Sequence, residues 1–107
     1  MHIATTNDLA GYRIVRHLGL ARGVTVRSRN IVAGIGAFLQ TMKGGEITIY
    51  TKLAEQSRQQ AYDLLVAHAT ALGANAVIAM RYDANEISAG VTEVLAYGTA
   101  VVVEPVA

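Results

Sequence analysis

The chain has 107 residues, 52% of them apolar and 16% charged, with a formal net charge of +1 and no cysteine. That length suits one domain over residues 1–107 with a modest core, and the absent thiols exclude disulfides, thiolate metal centres and cysteine nucleophiles. Typical domains carry about 25% charged residues, so one copy has little charge with which to cover itself and self-association is expected.

After a short opening segment, Leu9-Ala10-Gly11-Tyr12 reads as a turn and residues 12–27 as strand, interrupted by Gly19 and Gly23. Ile14, Leu18, Leu20, Val24 and Val26 alternate onto one face, with Arg16 and Arg22 interrupting it; Arg13, His17, Thr25 and Arg27 lie opposite. A bulge or a hairpin is expected between Gly19 and Gly23. Ser28 and Asn30 are candidate caps of a short helix in which Ile31, Ile35, Phe38, Leu39 and Met42 recur at helical spacing, ended by Gly44-Gly45. Gly34 and Gly36 inside it imply close packing of another backbone.

From about Tyr50 to Leu72 the pattern is a long amphipathic helix, capped by Thr48 or Thr51 and stopped by Gly73. Its apolar stripe reads Tyr50, Leu53, Ala54, Ser57, Ala61, Leu64, Leu65, His68 and Leu72. Two further strands, 75–83 and 91–103, flank a polar loop at 84–90 and are expected to pair as an antiparallel hairpin, fading at Pro105. Both are apolar on two faces, so something beyond the helix must cover the second one. The class is α+β: two layers, an antiparallel sheet packed against one long helix plus a short one.

No run reaches the roughly 18 apolar residues of a membrane span, the longest candidate being 31–39. The first residues have neither a basic n-region nor a long apolar h-region, which makes a soluble cytoplasmic protein the expectation. Charge is unevenly spread. Residues 1–43 carry six basic residues against Asp8, a net +5, and residues 44–107 carry three against seven acids, a net −4. Oppositely charged elements can lie side by side within one copy or meet across copies. Nucleic acid is a weaker partner for this basic half, because its arginines lack interleaved stacking aromatics or a known binding motif.

Six short motifs stand out: Thr5-Thr6, Leu9-x-Gly11, Arg29-Asn30-Ile31, Gly44-Gly45-Glu46-x-x-x-Tyr50, Leu72-Gly-Ala-Asn-Ala-Val77 and Ala96-Tyr-Gly-Thr-Ala-Val101. In order and spacing this set resembles the YbjQ-like family, a bacterial group also labelled a "putative heavy-metal-binding" domain, whose biochemical role is not established. The resemblance covers residues 5–103. It implies a dodecin-subunit-like β-α-β-β architecture assembled as a ring of five copies. The chain departs from the family at Gly34 and Gln59, where an acid is common, and at Gln40, where a base is common, which weakens any role resting on those charges.

Three kinds of site follow. A divalent metal needs three or four converging ligands, yet His2, His17 and His68 are scattered. His68 among leucines reads first as a hydrogen-bonded core residue. Glu46 and His68 are the metal candidates, Glu46 through repetition around a ring axis. A small anion would use Arg27, Arg29 and the free N–H groups at the start of the short helix, with Glu46 and Arg58 as further ligand-binding candidates. Leu95, Tyr97, Val101 and Tyr62 are the expected contacts between copies. No arrangement of serine, histidine and carboxylate supports catalysis, so no catalytic residue is assigned. The expected function is that of a homo-oligomeric domain that binds a metal or small anion at an interface or axis, or else acts as a scaffold with no ligand; an enzyme comes third.

Overall fold

Seventeen consecutive residues of extended chain, Tyr12–Ser28, form the longest strand and set the length of the sheet. The computed structural model describes residues 1–28 and 46–106, and of 46–50 the backbone only. The short-helix reading, Gly44-Gly45, Arg29 and the Glu46 side chain lie outside the described residues. In chain order the elements are β1 (His2–Ile3), β2 (Tyr12–Ser28), α1 (Glu46–Ala71), β3 (Ala76–Ser88) and β4 (Val91–Pro105).

The sheet runs β1-β3-β4-β2. β4 pairs antiparallel with β2 and β3, but β1 pairs parallel with β3 through His2 opposite Ala76 and Ile3 opposite Val77. The sheet is therefore mixed where the sequence suggested an antiparallel one. A two-residue strand leaves no periodicity to read, and only the return of the N-terminus beside β3 creates it. The described fold is α+β, with four strands and one helix.

Three boundaries also move. β2 crosses Gly19 to Gly23 without a hairpin and absorbs its irregularity as register shifts between Ile14 and Arg16 and between His17 and Gly19. α1 starts at Glu46, about one turn before Tyr50. The expected loop at 84–90 is mostly strand. Ala84, Asn85 and Glu86 pair with Val94, Glu93 and Thr92, leaving Ala89-Gly90 as the turn. Those residues have poor strand propensity, and cross-strand pairing overrides it. The result is a protruding hairpin in which every residue from Arg81 to Ser88 is exposed.

The helix packs on one face of the sheet through a narrow seam of Ser57, Ala61, Leu65 and Ala69, four apart, against Ala21, Gly23 and Thr25 of β2. The Thr25 hydroxyl donates to the Ser57 carbonyl at 3.3 Å. Leu64 and Leu72, read as part of the buried stripe, are instead 48% and 38% exposed. Small side chains win the contact because they let the two backbones approach closely. Ala96 and Ala100 of β4, with Val77 and Met80 of β3, complete this core.

Among the described residues the opposite face is covered at one end only. There Ala76, Ile78, Val101 and Val103 are buried together with Leu9, Tyr12 and Ile14. Asn75 locks this end. Its side-chain N–H donates to the Val103 carbonyl and its Oδ1 accepts from the Val103 N–H, both at 2.8 Å. Losing both bonds in Asn75→Ala costs about 2 kcal/mol, since each contributes on the order of 1 kcal/mol and the freed backbone groups are partly buried. Urea unfolding should show the midpoint fall with the m-value unchanged; an unaltered midpoint would refute the clasp.

Candidate functional site

Above the N-terminal cover, no described residue packs over the second face of the sheet at Leu20, Val24 and Val26. Strand alternation places Leu20, Arg22, Val24 and Val26 of β2 there, because Ala21, Gly23 and Thr25 point to the helix. The register sets Val24 beside Leu95 and Arg22 beside Tyr97, and β3 adds Asp83 beside Leu95. Together Leu20, Arg22, Val24, Asp83, Glu93, Leu95 and Tyr97 line an open groove of about 270 Å³. Leu20 is 60% exposed, Val26 50% and Val24 41%. Beyond the register shift at Gly19 the larger apolar side chains of β2 therefore face away from the helix and the small ones face it, whereas Leu18, expected on the same face as Leu20, packs against the helix-side core.

The groove is chemically mixed. Its floor is aliphatic and aromatic, with a guanidinium on β2 and carboxylates on β3 and β4. Asp83 and Glu93 sit diagonally on the same face, since Asp83 opposes Leu95 and Asn85 opposes Glu93. Asp83 Oδ1 accepts from the Ala84 N–H at 2.9 Å.

The expected ligand and metal residues that are described, Arg27, Arg58 and His68, do not converge. Arg27 is half-buried, its guanidinium donating to Gln60 Oε1 and to the Val26 carbonyl at 3.5 Å. Arg58 pairs with Glu55 on its own helix at 3.3 Å, with both side chains largely exposed. His68 is half-buried, and its Nδ1 accepts the Arg22 N–H at 3.0 Å, closing one backbone group on the unpaired edge of β2. His68 is thus hydrogen-bonded as expected, but half-buried and outside the core. A metal-bound histidine normally donates its second ring N–H to a neighbour, whereas here Nδ1 accepts.

Leu95 and Tyr97 do lie in the groove. Val101 does not: it is fully buried within one copy, in the cluster under Leu9 and Tyr12, because it falls where the N-terminal segment covers the sheet. Tyr62 is half-buried on α1 against the helix-side core, on the other face of the sheet. Nearby, partial burial lifts the Tyr82 hydroxyl above the ordinary tyrosine range, helped by Tyr62 and the Glu55 carboxylate and opposed by Arg58. Sequence reading missed Leu20, Arg22, Val24, Asp83 and Glu93. Alternation already placed the first three on one face, but the acids seemed to flank a loop; a paired hairpin makes them neighbours.

Among the described residues no helix is long and apolar enough to cross a membrane, and no three or more histidines, cysteines, aspartates or glutamates cluster.

A family model with the description "Putative heavy-metal-binding" matches residues 1–104. A UPF0145 protein of Solibacter usitatus is 58% identical over 103 residues, 96% of this chain and 92% of its own length. Another, from Paraburkholderia phymatum, is 60% identical over 99 residues, 92% of this chain and 89% of the relative. Among solved structures, a Pediococcus pentosaceus protein of unknown function in the DUF74 family matches with a TM-score of 0.62 over 97% of this chain and 98% of its own. At 19% identity that likeness concerns the fold alone.

Proposed function

The chain belongs to the UPF0145 (YbjQ) family, whose description is "Putative heavy-metal-binding", and from that membership we propose that it works as a self-assembling subunit, a homo-oligomer built by burying its bare sheet face. The observation that carries this reading is the groove itself. Leu20, Val24, Val26, Leu95 and Tyr97 make a contiguous apolar surface on a chain with few charges, and monomeric proteins rarely leave such patches uncovered. The radius of gyration supports it: 17.3 Å, against about 13 Å for a compact chain of this length. Five copies is the number that the family resemblance implies.

The family's description does not fit a metal centre within one copy. Transition-metal sites need three or four converging ligands. The chain has no cysteine, residues 29–45 contain no histidine or acid, and the described residues hold no cluster of three. Among histidine, cysteine and carboxylate side chains, only that of Glu46 could add a ligand to what is described, and no chemical step is derived through a metal. An ion on an axis of the assembly, held by Glu46 from several copies, is the form in which the description could apply.

Native mass spectrometry tests the reading. We expect an integer multiple of 11.3 kDa, and 11.3 kDa at every concentration would overturn it. Tyr97→Asp should lower the mass of the assembly, since it places a charge in the covered groove without touching the helix-side core. Helical circular dichroism should persist. A fully assembled Tyr97→Asp protein would move the seam elsewhere.

A further inference from the structure

The charges of the groove are arranged with a handedness that bears on how it is covered. Arg22 stands on β2, along one flank; Asp83 stands on β3, along the other, and Glu93 on β4 between them. Within one copy neither acid forms an ion pair with Arg22, although all three line the same groove. Arg81, level with Arg22 across the sheet, is turned aside and donates to the Thr5 and Met80 carbonyls at 2.7 and 2.9 Å. An apolar floor flanked by an unpaired cation and unpaired anions calls for an occupant with the same apolar character and the opposite arrangement of charge.

A second copy supplies both. When two such sheets lie face to face about a two-fold axis along the strands, left and right flanks exchange, so β2 of one copy passes over β3 of the other. Arg22 is level with Tyr97, and Asp83 with Leu95 one pair of residues further, a step of about 7 Å that an arginine side chain spans. Packed sheets are separated by about 10 Å, the distance at which Leu20, Val24, Leu95 and Tyr97 of both copies interdigitate.

Resting on the self-assembly reading above, we propose that the groove is an isologous interface in which Arg22 of each copy pairs with Asp83 and Glu93 of the other. The contact is self-complementary and joins copies in pairs. In an assembly built on rings of five it joins two rings.

Charge reversal tests this with masses as the readout. Arg22→Glu alone, and Asp83→Lys with Glu93→Lys together, each place like charges in both halves of the contact and should run at half the wild-type mass, because a two-fold contact joins two equal halves. Mixing the two variants restores opposite charges in both halves. The mixture should regain the wild-type mass, with equal numbers of each variant in every assembly. Should Arg22→Glu fail to fold, Arg22→Gln is expected to weaken association at least about a hundredfold, because both halves of the contact lose a desolvated ion pair. Wild-type protein that assembles, beside an Arg22→Glu that assembles equally well, an Arg22→Gln of unchanged affinity or a mixture that stays at the mass of the separate variants, overturns the proposed pairing and leaves self-assembly standing. Monomeric wild-type protein overturns both.

Discussion

Gly23→Ala should destabilise the protein by at least about 3 kcal/mol, the upper end of what overpacking a core costs. A methyl group at this position of β2 would lie 2.1 Å from the Ala61 carbonyl oxygen, 2.5 Å from the Leu65 nitrogen and 2.7 Å from Leu64 Cβ. Two of the three are helix backbone atoms, so no side chain can rotate away. The whole of α1 must lift, and with it the seam of Ser57, Ala61, Leu65 and Ala69 that holds helix to sheet. At 4–8 °C per kcal/mol for a small domain, the melting temperature should fall by about 10–25 °C. A shift of only a degree or two would mean that the helix does not cross β2 at Gly23.

The second large effect belongs to Gly98→Ala, for which about 2–3 kcal/mol is expected. Its added Cβ would stand 2.6 Å from Val77 Cγ1, 2.9 Å from the Ile78 oxygen and 3.3 Å from Met80 Cα. β3 is irregular here: the register shifts between Ile78 and Arg81, and Ala79 takes a left-handed φ of 52°. The irregular stretch is also tied to the N-terminus, since the Ala79 N–H donates to the Thr6 carbonyl at 2.7 Å and the Met80 N–H to the Ala4 carbonyl at 3.0 Å. Pushing it away from Gly98 must loosen residues 4–6 as well. Hydrogen exchange should accelerate at the Ala79 and Met80 amides by more than at the amides of α1. Equal acceleration everywhere would indicate plain global destabilisation and refute this coupling.

These two glycines show where sequence reading stops. Gly23 was legible as an interruption of a strand, and a bulge or hairpin was the natural inference. Its actual role is to admit a helix backbone, and nothing in the local pattern states which element approaches. The same holds for the groove. Leu20, Val24 and Val26 were legible as one face of β2, yet a hydrophobic ranking favours burying that face, whereas the helix chose the side bearing Ala21, Gly23 and Thr25. Asp83 and Glu93 became neighbours only because β4 draws Ala84 to Glu86 into the ladder. His68 was legible as a hydrogen-bonded residue, but not its partner, a backbone N–H 46 positions away.

The sequence by itself determined the kinds of element and their order, a long strand, a long helix and a terminal hairpin, because periodicity and glycine stops are local properties of the chain. It also determined family membership and the scarcity of metal ligands, which are matters of residue identity. The tertiary structure decided the mixed strand order, the face of the sheet that the helix covers, and the face left bare. Those outcomes depend on how closely two backbones can approach, and that distance is set by small side chains brought together from remote parts of the chain.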